Sequence, residues 1–152
     1  MSHPIKALLS GRAVELAARV VLTFPFWGSG LDKLFNFTGA VAEMRMFGLE
    51  PAPTVALAVI LVQLGGSALV ILNRPAWLGA GTLGVFTLLT IPIVHHFWAL
   101  EGAASVHAFH TATEHVGMIG GLVAIAALSV RPRLRPTSEP ADLAMPQVVP
   151  IR

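Results

Sequence analysis

The chain has 152 residues, 55% of them hydrophobic and 12% charged, with no cysteine and a net charge of +2. A water-soluble domain carries about twice that charged fraction, so polar side chains are too few to cover a globule and lipid is the solvent that suits most of the surface. Lack of cysteine excludes disulfides, thiolate metal sites and cysteine nucleophiles within the chain. The small positive charge points to orientation in a membrane and away from nucleic-acid binding.

Residues 1–11 read as a short polar lead. Lys6 and Arg12 precede an apolar run, as in a signal peptide, but Glu15 and Arg19 interrupt that run and no small-residue cleavage site follows. The expectation is a retained first membrane helix over 12–30. Glu15 and Arg19 stand four apart, acid first, the favourable order for a helical ion pair. That pairing would ease Arg19 about two turns into the apolar layer. Pro25 is expected to kink the helix, and Trp27 to anchor it at an interface.

Residues 31–53 are too polar to span a bilayer, yet Leu34, Phe35, Phe37, Val41, Met44, Phe47 and Leu49 are too many apolar side chains for a free loop. A short amphipathic helix lying in the interface is predicted, ended by Gly48 and the prolines at 51 and 53. A second span follows over 54–72, uncharged, with Gln63 as its one strongly polar side chain. Asn73-Arg74-Pro75 makes a tight turn. The third span, over 76–98, has Trp77 at one end and Trp98 at the other, with Pro92 one turn before a histidine pair. A fourth runs from about residue 105 to 130. The last 22 residues contain five prolines and no helical period, and read as an extended tail over 131–152.

The expected fold is therefore all-α: an antiparallel bundle of four transmembrane helices over 12–130, with a short interfacial helix between the first and second. Small residues recur where helices would touch, namely Gly65, Gly66 and Ser67, Gly79, Gly81 and Gly84, and Gly117, Gly120 and Gly121. Lys6, Arg12, Arg74, Arg131, Arg133 and Arg135 flank one face of this bundle, against Lys33 and Arg45 on the other. The positive-inside rule places both termini in the cytoplasm. In a bacterium the membrane is the inner one, and the interfacial helix faces the periplasm.

The stretch from Ile91 to Gly121 holds five of the six histidines. His107, His110 and Glu114 fall within an arc of about 60° on one helical face, and His95 or His96 from the preceding span could face them. Histidine and carboxylate near an interface suit proton delivery to a reduced oxygen, so His95, His107, His110 and Glu114 are the candidate proton-handling groups. His96, His107, His110 and Glu114 are the ligands a metal would take. Solvated interfacial histidines bonded to loop carbonyls are the plainer reading of the same residues. Arg19, Lys33, Gln63, His115 and Trp98 are candidates for binding a small molecule.

In order and spacing these residues resemble the DoxX family of small four-helix membrane proteins. The resemblance covers roughly residues 15–130. It rests on Arg19, the stretch from Phe24 to Phe35 (F-P-F-W-G-S-G-L-D-K-L-F), Gly65-Gly66, the H-x-F-W of His95 to Trp98, and the M-I-G-G-L run at Gly120. The chain departs from the family pattern at Gln63, where an acid is usual, and at Glu114-His115, where Lys-Asn is usual. His107 and His110 are additions to it. The resemblance implies an inner-membrane protein, with some relatives serving as subunits of thiosulfate:quinone oxidoreductase or in complexes linked to thiol redox balance. Combined with the histidine stretch, it implies a membrane subunit of an oxidoreductase assembly that binds a quinone- or thiol-type molecule in the outward half of the bundle. The cofactor is open, a quinone standing ahead of haem or a metal ion. The expected partners are the lipid bilayer and a partner subunit or a second copy of the chain. The alternative is a non-enzymatic scaffold, assembly factor or small-solute permeation protein.

Overall fold

The computed structural model describes residues 11–130, with Ile5 and Leu8 before them. The tail expected over 131–152 and most of the N-terminal lead lie outside the described residues. Among the described residues there are five α-helices and no strand: α1 (Arg12–Phe35), α2 (Phe37–Met46), α3 (Ala52–Ile71), α4 (Ala76–Val94) and α5 (Gly102–Ser129), with a 3-10 turn at Phe97–Ala99 between the last two.

Thr23, Phe26 and Gly30 recur at three and four residues along α1 and form its buried stripe. The helix continues through Pro25 and ends five residues later than expected. The Trp27 indole N–H donates to the Val20 carbonyl at 3.1 Å, two turns back along the helix, and Phe24 meets the ring edge-on at 4.9 Å. As expected, Arg19 pairs with Glu15 on the same helix.

The short helix predicted within 31–53 exists as α2, ten residues long. Asn36 begins it, its side-chain oxygen accepting the Gly39 N–H at 3.1 Å. Ala40, Val41 and Met44 bury one face of α2 against Ala52 and Ala56 at the start of α3. Asn36→Ala removes the only side-chain cap on this helix, so the protein should lose about 1 kcal/mol of stability. Hydrogen exchange should speed at the first α2 amides and stay unchanged in α3 and α4.

In α3 and α4 apolar residues occupy every face, the pattern of helices solvated by lipid. Asn73 (φ 56°) closes the predicted turn between them. They cross where Gly66 faces Gly79: a Cβ on Gly79 would lie 2.6 Å from the Gly66 carbonyl oxygen and 3.1 Å from the Val70 nitrogen. Gly121 of α5 similarly accepts Leu22 of α1, whose Cδ1 is 2.9 Å from where its Cβ would be. The other expected contact glycines, Gly65, Gly81, Gly84, Gly117 and Gly120, face open space. The G-x-x-x-G pair at 117 and 121 thus contributes one contact and not two.

The helices pack in the order α1, α3, α4, α5, with α5 meeting α1 only narrowly and α2 lying across the beginning of α3. Phe26, Val70, Ala80, Leu83 and Leu122 form the common core. Three segments are long and apolar enough to cross a membrane: Ala52–Ile71, Ala76–Ala99 and Gly102–Ser129. The fourth expected span, α1, has 24 residues, about 36 Å at 1.5 Å each. Its Glu15, Arg19, Asp32 and Lys33, together with Gly28-Ser29-Gly30, dilute its apolar content, and it is not among the three.

Candidate functional site: a cavity shared by the five helices

Gly30 has no side chain to hold α1 and α3 apart: a Cβ there would sit 2.8 Å from Leu64 Cδ2 and 3.2 Å from Gln63 Cβ. That close approach brings Ser29 to Gln63. The Gln63 amide nitrogen donates to Ser29 Oγ at 3.3 Å, and Lys33, one turn further along α1, donates to the same oxygen at 3.4 Å. The Lys33 ammonium also pairs with Glu43 of α2 at 2.7 Å. A polar ladder, Glu43–Lys33–Ser29–Gln63, therefore links three helices from the α2 end inward.

On the opposite wall, α4 ends at His95, whose backbone N–H donates to the carbonyls of Thr90 and Ile91. Its ring meets His115 of α5 edge-on, with centroids 4.9 Å apart. His115 lies on the buried face of α5, seven residues from both Ala108 and Leu122 and three from Ala112. The hydroxyls of Thr87 and Thr90 donate back to carbonyls of α4 at 2.7 and 2.8 Å.

The two walls enclose a cavity of about 480 Å³, lined by residues of all five helices. That volume lies within the usual range for small-molecule sites, which are mostly apolar with a few placed polar groups. Phe26, Met44, Phe47, Phe86 and Met118 supply apolar surface, while Lys33, Glu43, Gln63, His95 and His115 supply polarity. Among the described residues, Gln63 Oε1 and His115 Nδ1 are the buried side-chain atoms without a hydrogen-bond partner in the protein. Leaving such groups unpaired costs about 1–3 kcal/mol each. They are on α3 and α5, and both residues line the cavity.

Four sequence candidates, Lys33, Gln63, His95 and His115, thus meet here. Arg19 does not line the cavity and is held by Glu15. Trp98 is 61% exposed and stacks edge-on with Phe97. His96 is half-buried before the 3-10 turn. His107, His110 and Glu114 are exposed along α5 and contribute nothing to the lining. The four residues expected to hold a metal do not assemble: among the described residues no three His, Cys, Asp or Glu side chains are grouped to hold an ion. A helical wheel shows which residues share a face, but not which neighbour that face meets. Ser29 and Glu43 were missed by sequence reading. A serine between two glycines and a glutamate on a polar helix carry no signal until the helices are packed.

The DoxX family pattern matches residues 14–96, more than half of the chain. The chain belongs to the DoxX family. No curated protein and no solved structure matches it. The matched stretch of this DoxX protein runs from near the start of α1 to just past the end of α4, and includes Ser29, Lys33, Glu43, Gln63 and His95. The match stops short of residue 130, the expected limit of the resemblance. His115 and the rest of α5 lie beyond the match, so the DoxX region supplies the polar ladder and one of the two histidines.

Proposed function

We propose that this DoxX protein is a bacterial inner-membrane component of an oxidoreductase assembly whose cavity binds a quinone- or thiol-type molecule. The observation that carries this reading is the pair of buried, unpartnered polar atoms, Gln63 Oε1 and His115 Nδ1, on a mostly apolar cavity of ligand size. A ligand with an apolar body and a hydrogen-bonding head would satisfy both.

In this reading α1 is the fourth span, its Arg19 neutralised by Glu15. Both termini are cytoplasmic, which the arginine distribution supports. His95 and His115 handle protons at the ligand. His107, His110 and Glu114 extend that role outward along α5 to the surface. Without cysteine the chain has no thiol couple of its own, and a partner subunit carries the electrons.

The test is a thermal-unfolding titration of detergent-purified protein with a short-tailed benzoquinone and, separately, a small thiol. Binding at about 100 times the dissociation constant stabilises by about 2.7 kcal/mol, so one of the two should raise the melting temperature by several degrees. Absence of a shift with either, in protein shown by mass spectrometry to carry no co-purified small molecule, would count decisively against the reading.

A further inference from the structure

We infer that the cavity is filled sideways from the hydrocarbon phase, through the seam between α3 and α4, so that its occupant is an amphiphile dissolved in the bilayer and not a water-borne solute. The inference rests on the proposed binding role of the cavity and narrows its ligand class.

Three observations carry it. First, two cavity-lining side chains of α4, Leu89 and Ile93, are 53% and 38% exposed. They belong to the apolar segment Ala76–Ala99, so the surface on which they emerge is one that lipid covers. Second, Phe86 and Leu89 line the inner cavity and also an outer groove of about 520 Å³ formed by α4 with Val62 of α3. The two spaces therefore share a wall of two side chains on one helical face, three residues apart. Third, the other end is obstructed. The Lys33–Glu43 ion pair ties α1 to α2 there, and Met44 of α2 is 4% exposed. An apolar side chain such as Leu89 yields by rotamer change in lipid, whereas opening the far end requires separating an ion pair and a packed helix.

A water-soluble thiol or anion would have to pass the obstructed end. A molecule with an apolar body partitions into the bilayer first and meets the Leu89 seam directly. Its polar head then reaches Gln63 and Ser29 on the inner wall.

The chain has no native cysteine, which makes a single nitroxide spin label at Thr90→Cys, on the cavity lining, specific. In phosphatidylcholine–phosphatidylglycerol vesicles, power saturation compares collision with molecular oxygen, which concentrates in the hydrocarbon, and with a neutral nickel chelate confined to water. Oxygen should reach the label strongly and the chelate weakly. Leu89→Trp should lower oxygen access at least threefold, and Glu43→Ala should raise chelate access while leaving oxygen access unchanged. Ile93→Trp supplies the same reading if Leu89→Trp does not fold. Equal access for the chelate in the otherwise native protein, or oxygen access indifferent to both tryptophans, would overturn the seam. Neither probe is the ligand, so this result and the quinone or thiol titration can fail independently.

Discussion

Gly79→Ala should destabilise the protein in mild detergent by about 2–3 kcal/mol, a large effect for a single methyl group. The added carbon would lie 2.6 Å from the Gly66 carbonyl oxygen, 2.7 Å from Leu69 Cβ and 3.1 Å from the Val70 nitrogen. Two of these atoms are backbone and the third is fixed to it, so no rotamer change can relieve the overlap. Only a separation of α3 from α4 can, at the expense of contacts along both helices. Gly81→Ala is the control. Nothing lies within 4 Å of its new carbon, and alanine favours a helix over glycine by up to about 1 kcal/mol. Thermal or denaturant unfolding of the two variants should separate them clearly. Equal losses would mean that the crossing does not hold the hairpin together.

Gln63→Leu should separate stability from binding. Gln63 is 5% exposed, and its Oε1 has no partner in the protein. An apolar side chain of similar size relieves that penalty, so the empty protein should be as stable as the parent or up to about 2 kcal/mol more stable. Ligand affinity should move the other way. Losing a hydrogen bond to a buried head group costs about 1–3 kcal/mol, a weakening of about 5- to 150-fold for whichever probe stabilises the parent. Gain of stability with loss of affinity is expected of a residue kept for binding. Loss of both would mark Gln63 as a packing residue whose bond to Ser29 holds α1 on α3.

Much of the architecture was legible because lipid-facing helices announce themselves by composition. The tight turn at Asn73, the apolar segment over 76–98 and a short helix over part of 31–53 all came from hydropathy and from glycine and proline placement. The boundaries moved where polar residues remained helical. Asp32 and Lys33 stay within α1 because Lys33 has partners in Ser29 and Glu43. Asn36, which in sequence resembles the start of a glycosylation acceptor, serves as a helix cap. The site was legible at Lys33, Gln63, His95 and His115, of which only Gln63 stands alone in an apolar run. Grouping His107, His110 and Glu114 used the right periodicity. Their ranking above His115 assumed that the richest polar face is the inward one, whereas the buried face of α5 is marked by Ala108, Ala112 and Leu122.

The Gly66–Gly79 crossing sits toward the Asn73 end of α3 and α4, while the cavity lies in the opposite half. Two stiff rods pinned near one end behave as a pair of scissors, and Ile93 is about 21 Å from the pin, counting 1.5 Å for each residue from Gly79. A tilt of about 3° at the pin moves the tips by roughly 1 Å at that reach. The chamber's width is thereby geared to a contact between two glycines that never touch its contents.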